Sequence, residues 1–243
     1  MFFSDIHTHI LHDTDDGPKT REDMFEMIKA AYDSGTRLIC ATPHFAPTFF
    51  GDNREASDHS FRVLCEHCKE NYPDLEIFYG NELYYRHDCI SWLKNGLCRT
   101  MSDTGYLLVE FHVKSNEDQI AEGIYRLQNL GYIPIIAHAE RYQNLTQGRV
   151  WSFRENGVLI QINAESVFRT KDLRQNKRVK ALVTNGYVDF VSTDMHDMKR
   201  RPPEMKKSYE QFVEKYGQTL ADNLYRNNAL RLLSKESVKE EVK

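Results

Sequence analysis

Asp5-Ile6-His7-Thr8-His9, near the start of the chain, contains two histidines that are separated by one residue. The preceding Met1-Phe2-Phe3 is apolar, as is typical of a buried strand. Residues two apart in a β-strand point to the same face, so this strand would present His7 and His9 side by side. Neutral imidazole is the commonest metal ligand among protein side chains. The stretch therefore predicts a strand that brings two metal ligands to one point.

The same spacing recurs near the other end of the chain. Ser192-Thr193-Asp194-Met195-His196 follows the mostly apolar run 188–191 and again places two ligand-type side chains two residues apart. A single His-x-His pair also fits a polar surface strand. Its repetition after a second apolar run favours a metal site that both ends of the chain help to build.

Seven short apolar segments alternate with segments of helical periodicity. The predicted strands begin before His7 and then cover residues 37–41, 75–79, 106–109, 133–137, 158–162 and 189–192. This alternation predicts an α/β fold with a parallel sheet and crossover helices. Six of the seven strand ends carry metal-ligand types, namely His7 and His9, His44, Glu82, Glu110, His138, and Asp194 and His196. Because α/β barrels hold their chemistry at the carboxyl ends of the strands, these residues predict a polynuclear metal site.

Composition excludes several other classes of protein. The length of 243 residues allows one large domain or two small ones, and the lack of a repeat, linker or boundary predicts one domain over residues 1–243. Hydrophobic residues make up 40%, enough for a full core, and the net charge of −4 predicts no general affinity for nucleic acid. No apolar run reaches the ~18 residues of a membrane span, so we expect no membrane insertion. Five cysteines without framework spacing and the lack of a signal sequence predict a cytoplasmic protein with reduced thiols. The charged tail from about residue 236 is predicted to be disordered.

Together these motifs resemble the PHP (polymerase and histidinol phosphatase) superfamily of metal-dependent phosphoesterases. The resemblance rests on Asp5-x-His7-x-His9, Thr42-Pro43-His44, Gly80-Asn81-Glu82, Ala137-His138 and Ser192-Thr193-Asp194-x-His196. Within the superfamily, the chain is most similar to the manganese-dependent protein-tyrosine phosphatases of bacterial capsule and exopolysaccharide operons. That similarity lies in Asp15-Asp16-Gly17-Pro18, Gly80-Asn81-Glu82-Leu83-Tyr84-Tyr85, His138-Ala139-Glu140-Arg141-Tyr142 and Arg201-Pro202-Pro203. It extends from about residue 3 to the low 230s.

The resemblance implies a distorted seven-stranded (β/α) barrel, with its active site at the carboxyl ends of the strands and three bound divalent metals. The implied ligands are His7, His9, Glu82 and Asp194 for the first metal, the bridging Glu82 with Glu110 and His138 for the second, and Asp16, His44 and His196 for the third. Several superfamily members use a histidine in the loop after the first strand, where this chain offers Asp16. Asp15 and His12 remain alternatives for that position.

The implied ligand set also points to a type of metal and of reaction. Five imidazoles and four carboxylates suit manganese, iron or zinc better than calcium, and the resemblance favours Mn²⁺. The implied nucleophile is a metal-bound hydroxide. No cysteine is followed by arginine six residues on, as a cysteine-dependent phosphatase loop requires. Arg141 and Arg201 would act as catalytic residues by binding phosphoryl oxygens in fork geometry, and a surface ion pair is the alternative for each.

The expected substrate is a phosphotyrosine-bearing protein, and the resemblance implies the tyrosine-rich tail of a bacterial tyrosine kinase. Aromatic residues near the predicted ligands would form a rim that favours a phenyl ring, namely Phe45, Phe49, Phe50, Tyr84, Tyr85 and Tyr142. No basic or acidic groove is evident near these positions, so we expect the surrounding polypeptide to be bound loosely. The main alternative is a small-molecule phosphatase such as histidinol-phosphate phosphatase. A non-catalytic metal-binding module or a polymerase-associated nuclease domain fits less well, because the ligand set looks complete and no polymerase segment or basic stripe is present.

Overall fold

Parallel β-strands form the centre of the protein. The computed structural model describes residues 2–168 and 173–233. Its strands are β1 (Phe3–Thr8), β2 (Thr36–Ala41), β3 (His44–Phe45), β4 (Glu76–Tyr79), β5 (Glu82–Tyr84), β6 (Tyr106–Glu110), β7 (Ile133–Ile136), β8 (Leu159–Asn163) and β9 (Phe190–Ser192). Three of them form a sheet in the order β1-β2-β4, and six form a second sheet in the order β3-β5-β6-β7-β8-β9. Every pairing within these sheets is parallel, which confirms the predicted α/β class.

The described residues contain nine strands, so the predicted count of seven was wrong. Seven of the nine are the predicted strands. The other two, β3 and β5, are short and begin at His44 and Glu82. Each follows a two-residue break, Thr42-Pro43 or Gly80-Asn81, and the proline cannot donate a ladder hydrogen bond. The breaks divide the strands between two sheets, and within the described residues the ladders do not close into a barrel.

Helices connect the strands, as the alternating pattern predicts. They are α1 (Arg21–Asp33), α2 (Pro47–Phe50), α3 (Arg54–Asn71), α4 (Cys89–Lys94), α5 (Glu117–Asn129), α6 (Gln147–Glu155), α7 (Ala164–Phe168), α8 (Leu173–Thr184), α9 (Met205–Tyr216), α10 (Gln218–Asp222) and α11 (Asn228–Leu233). Short 3₁₀ turns at Met101–Asp103 and Ala139–Arg141 and a π-helical turn at Asn223–Asn227 complete the set. No helix in the described ranges is long and apolar enough to cross a membrane.

Local sequence signals explain where several helices begin. The Thr20 side chain accepts a hydrogen bond from the Asp23 backbone N–H and so caps α1. Asn116 and Gln119 form a reciprocal capping box at the start of α5. Between β3 and α3, Pro47 starts the single helical turn α2. The tail from residue 236, predicted to be disordered, lies outside the described residues.

The core lies between the strands and the surrounding helices. Most apolar side chains of the strands are buried, whereas Ile77 and Phe78 of β4 are partly buried and Ile133 of β7 is exposed. One buried cluster joins five strands to α11 through Ile6, Leu38, Leu108, Ile135, Phe190 and Leu232. Each such side chain contributes ~1.5–3 kcal/mol to the free energy of unfolding, so the core holds the strand ends in fixed positions.

Candidate metal centre

The carboxyl end of β1 carries His7 and His9 into the interior, where both are completely buried. Their Nε2 atoms lie 3.3 Å apart. The opposite nitrogen of each ring faces an oxygen, since His7 Nδ1 lies 3.1 Å from Gln161 Oε1 and His9 Nδ1 lies 2.7 Å from Asp15 Oδ2. With Nδ1 donating to these oxygens, both Nε2 atoms present lone pairs to the same point. Metal-ligating histidines are oriented in this way.

The loop after β1 folds back over His9. A Cβ on Gly17 would lie 2.2 Å from the His9 carbonyl oxygen, so this close approach requires glycine. The turn places Asp15 behind the His9 ring, where its carboxylate also accepts hydrogen bonds from the backbone N–H groups of Gly17 (2.9 Å) and His44 (2.8 Å). Although burial acts to raise it, the charge of His9 lowers the pKa of Asp15 to about 2. Asp15 thus orients a candidate ligand from behind.

Asp16, the next residue of this loop, faces the imidazoles directly. Its Oδ1 lies 3.1 Å from His196 Nε2 and 3.7 Å from His44 Nε2. Although burial acts to raise it, the hydrogen bond to His196 holds the pKa of Asp16 well below its ordinary value. His12 lies elsewhere, with its Nδ1 2.7 Å from Ser60 Oγ. Of the three loop residues considered, Asp16 is therefore the one whose carboxylate joins a group of potential ligands.

Glu82, the first residue of β5, lies at the centre of the site and is only 1% exposed. Its carboxylate oxygens are close to ring nitrogens of four histidines, namely His7 (3.3 Å), His9 (3.1 Å), His44 (3.0 Å) and His138 (3.1 Å). Although burial acts to raise it, the charges of His7 and His44 hold the pKa of Glu82 well below its ordinary range. A carboxylate with imidazoles around both oxygens has the position expected of a ligand that bridges two metals.

Glu110 and His138 extend the site from the ends of β6 and β7. His138 Nε2 lies 3.4 Å from Glu110 Oε1, and no hydrogen-bond partner for the buried His138 Nδ1 lies among the described residues. His138 also has a φ of 34°, a left-handed conformation uncommon outside glycine. Burial and, to a smaller extent, the charge of Glu82 raise the pKa of Glu110 to about 8. Burial also lowers the pKa of His138 to about 4. A bound cation would relieve the repulsion between the two carboxylates.

Asp194 completes the site just beyond β9, and it too is left-handed, with a φ of 53°. Its Oδ1 lies 3.5 Å from Nε2 of both His7 and His9. Its Oδ2 accepts a hydrogen bond of 2.7 Å from Asn163 Nδ2. Although burial acts to raise it, the charges of His7 and Arg141 hold the pKa of Asp194 far below its ordinary value. The local strain and the ionised state are both typical of a functional carboxylate.

Both predicted arginines contact this carboxylate from the solvent side. Arg141 Nη2 donates to Asp194 Oδ2 at 2.8 Å, and Arg201 Nη1 lies 3.4 Å from the same oxygen. Arg201 Nη1 also lies 3.1 Å from His196 Nε2. The two side chains are 30% and 36% exposed, so each guanidinium combines an anchored nitrogen with access to solvent. Their position at the mouth of the cluster is compatible with binding an anion that approaches it.

The potential ligands form three groups whose atoms lie within 4.8 Å of one another, namely His9, Asp16, His44 and His196; His7, His9 and Asp194; and His44, Glu82 and Glu110. The groups share His9 and His44, so they form one continuous cluster. Lone pairs of buried acceptors face each other across it, which costs free energy unless a cation lies between them. The mixed imidazole and carboxylate set therefore fits divalent manganese, iron or zinc.

Two residues of β8, Gln161 and Asn163, form hydrogen bonds that position the candidate ligands. Neither was predicted from the sequence as a site residue. Gln161 Oε1 accepts a hydrogen bond from the His138 backbone N–H (2.7 Å), and its Nε2 donates to Asn163 Oδ1 (2.9 Å). Asn163 in turn donates to Asp194, as described above. A signal was present, because these polar residues lie two apart at the carboxyl end of an otherwise apolar strand.

The predicted aromatic rim is smaller than expected. Phe45 and Tyr142 are buried in the core, at 1% and 0% exposure, and so cannot line the mouth of the site. Phe49 and Phe50 of α2 are 60% and 40% exposed. Phe50 stacks on the candidate ligand His44, with centroids 5.4 Å apart and planes 11° apart, and Phe49 packs edge-on against Tyr84 at 5.3 Å. Tyr85 instead packs against the buried Phe111, with ring centroids 5.1 Å apart. The rim therefore consists of Phe49, Phe50 and Tyr84, which lie beside the cluster.

Sequence relatives cover nearly the whole chain. Tyrosine-protein phosphatase CpsB of Streptococcus pneumoniae is 34% identical over 236 residues, which are 94% of this chain and 97% of the relative. Tyrosine-protein phosphatase YwqE of Bacillus subtilis (strain 168) is 31% identical over 237 residues, covering 94% of this chain and 91% of the relative.

Solved structures and a family model agree with these relatives. A crystal structure from work on YwqE of Bacillus subtilis and CpsB of Streptococcus pneumoniae, described as metal-dependent tyrosine phosphatases, matches with a TM-score of 0.83 and 28% identity, covering 94% of this chain and 93% of the other. An Escherichia coli phosphotriesterase homology protein shares only the fold, with a TM-score of 0.62, 11% identity, and coverage of 96% and 98%. The family model for capsular polysaccharide synthesis, CpsB/CapC, matches residues 3–234. This chain therefore belongs to the CpsB/CapC family.

Proposed function

We propose that this protein is a metal-dependent protein-tyrosine phosphatase. The observation that carries the proposal is the convergence of four imidazoles and four carboxylates on a single continuous cluster, with a fifth imidazole, that of His138, against two of its carboxylates. Orienting partners behind the rings and arginines at the mouth equip this cluster for a phosphate ester. The family relatives bear the name tyrosine-protein phosphatase, which supports the same substrate class.

We assign the metals to the nine residues that the resemblance implies, namely His7, His9, Asp16, His44, Glu82, Glu110, His138, Asp194 and His196. Bound divalent metals supply Lewis acidity that activates water and polarises the phosphoryl group. Manganese is the proposed metal, with iron and zinc compatible with the same ligands. Asp15 and Gln161 hold the His9 and His7 rings in the tautomer that leaves Nε2 free for a metal.

The chain's own residues account for substrate binding. Arg141 and Arg201 have solvent-accessible guanidinium groups beside Asp194, and they bind phosphoryl oxygens that do not contact a metal. Phe49, Phe50 and Tyr84 contact the phenyl ring of phosphotyrosine and so select it over shorter phosphorylated side chains. The proposed substrate is a phosphotyrosine-bearing protein, such as the tail of a bacterial tyrosine kinase of capsule synthesis. The cytoplasmic location expected from the sequence stays a prediction.

We infer further that the two sheets are parts of one distorted barrel in a single domain. Backbone hydrogen bonds of 2.9 Å from His9 N–H to the Met195 carbonyl and from Asp194 N–H to the His7 carbonyl support this inference, because they link the end of β1 to the end of β9. A parallel bridge between Thr8 and Met195 lies at the same place. Such an arrangement would gather the strand ends around the metals.

The direct test is phosphate release from a phosphotyrosine peptide and from histidinol phosphate, with added manganese and with chelator. We expect manganese-dependent hydrolysis of the peptide and slow hydrolysis of histidinol phosphate. Much faster turnover of histidinol phosphate would favour the small-molecule phosphatase, with the same metal centre. Undiminished activity after exhaustive removal of metal, verified by elemental analysis, would contradict the metal-dependent mechanism.

A further inference from the structure

A second cleft, of about 650 Å³, adjoins the metal centre on the side of Arg141. Besides Arg141, its charged lining residues are Arg174, Lys177 and Arg178 of α8, together with Glu140. The sequence predicts no basic groove near the site. The fold creates one by packing α8 against the 3₁₀ turn that contains Arg141. Arg141 thus belongs to both the mouth of the metal centre and the wall of this basic cleft.

Among the described lining residues of the basic cleft, cationic side chains outnumber acidic ones. Arg178 donates to the backbone carbonyls of Leu145 (2.8 Å) and Gln143 (2.7 Å). These acceptors are neutral, so they hold the guanidinium in position without neutralising its charge. Glu140 is the one acidic residue among the described lining residues. It is 1% exposed, and its Oε1 is occupied by hydrogen bonds from Ser166 Oγ and the Asn163 backbone N–H. The described lining therefore combines four cationic side chains with a single, buried carboxylate.

We propose that this basic cleft binds an anionic side chain next to the phosphotyrosine of the substrate, an inference that rests on the proposed phosphatase function. A carboxylate or a second phosphate would satisfy the same chemistry, since guanidinium and ammonium groups bind both. Arg141 belongs to both the metal centre and the basic cleft, so the two sites are adjacent. Successive residues of an extended peptide are roughly 3.3–3.6 Å apart. A peptide whose phosphotyrosine enters the metal centre therefore places a neighbouring residue in the cleft. The substrate class is thus an acidic or multiply phosphorylated segment.

The test compares three phosphotyrosine peptides of equal length, whose flanking residues are glutamine, glutamate or phosphoserine. Dephosphorylation is followed by the increase in tyrosine absorbance, to which phosphoserine does not contribute. We expect kcat/KM to be about threefold to tenfold higher for the anionic peptides than for the glutamine peptide, since partly exposed charge pairs are of modest strength. The gain should shrink as ionic strength rises. A larger gain for phosphoserine than for glutamate would assign the cleft to phosphate groups.

Variants locate the effect in the cleft. In Arg174→Ala/Lys177→Ala, the ratio of kcat/KM for the glutamate peptide to that for the glutamine peptide should fall to near one. Lys180→Ala is the matched control, because Lys180 is an exposed residue of the same helix that does not line the cleft, and its ratio should stay at the wild-type value. Lys177→Gln provides a milder variant, with an intermediate ratio expected.

Two results would overturn the inference. One is equal kcat/KM for the three peptides with the wild-type protein, and the other is a preference that persists in Arg174→Ala/Lys177→Ala. Hydrolysis of p-nitrophenyl phosphate by the wild-type protein is measured in the same experiments. It distinguishes a failure of the basic-cleft inference from a failure of the proposed phosphatase function. Activity on that small aryl phosphate without any peptide preference rejects the basic cleft alone. No manganese-dependent activity on any of these substrates rejects the phosphatase function itself.

Discussion

Single side chains set the protonation state of the candidate metal centre. Asp15 is the clearest case, because its buried carboxylate accepts hydrogen bonds from His9 and from two backbone N–H groups. These partners favour the ionised form, so the pKa of Asp15 lies at about 2 instead of 3.8. A group whose pKa is lowered by folding stabilises the native state above its unfolded pKa. That contribution is lost as the pH falls from about 4 to about 2.

Asp15→Asn should therefore lower the free energy of unfolding at pH 7 by about 2 kcal/mol in the metal-free protein, as follows from a lowering of nearly two pKa units. The difference in free energy of unfolding between Asp15→Asn and the wild-type protein should become smaller as the pH falls toward 2. Urea unfolding at a series of pH values measures it. Asp13→Asn, at an exposed position of the same loop, is the control and should behave like wild type. A difference that does not change with pH would contradict the assigned role of the Asp15 charge.

Glu82 is the carboxylate whose loss should damage the metal centre most, since its oxygens approach four imidazoles. We expect Glu82→Gln to retain less metal, as measured by elemental analysis of the purified protein, and to lose activity by about 100-fold or more. Glu76→Gln is the control, because it removes an exposed carboxylate, and it should retain the metal content and the activity of the wild-type protein. Full metal content in Glu82→Gln would show that Glu82 does not bridge two metals.

At the scale of elements, α2 is a single turn that presents two exposed aromatic rings beside the site. Phe49→Leu/Phe50→Leu keeps apolar side chains but removes both rings. We expect the ratio of kcat/KM for phosphotyrosine to that for phosphoserine peptides to fall about tenfold, because aromatic contacts contribute roughly 0.5–1.5 kcal/mol each. Phe45→Leu alters a buried phenylalanine of the adjacent strand and serves as the control for general loss of packing. An unchanged ratio in the double variant would exclude α2 from substrate selection.

At the scale of the whole molecule, bound metal would join strands from both ends of the chain. The proposed ligands extend from His7 in β1 to His196 beyond β9, so metals bind only when these elements are assembled. A ligand that binds only the folded state stabilises it, by about 4 kcal/mol per site at a thousandfold excess over its Kd. We expect a chelator to lower Tm by about 10 °C and manganese to restore it. Thermal unfolding with and without chelator measures this, and an equal Tm in both conditions would contradict metal cross-linking of the fold.

The α/β class, seven of the strands and the candidate ligands could be predicted from the sequence. These features depend on short-range regularities, such as the two-residue period that places His7 and His9 on one face of a strand. Features that depend on the path of loops and on contacts between distant segments required the three-dimensional structure.

Two neighbouring aspartates illustrate the difference. Asp15 and Asp16 are chemically identical, yet the packing of Gly17 against the His9 carbonyl places Asp15 behind a ring and Asp16 in front of it. Phe45 and Phe49 also differ through their positions in the fold. Phe45 is buried because it lies in a strand, whereas Phe49 is exposed because it lies on a surface turn. The basic cleft joins Arg141 to residues more than 30 positions away. Short-range periodicity carries no information about such a contact, so its charge became visible only once α8 was placed beside the site.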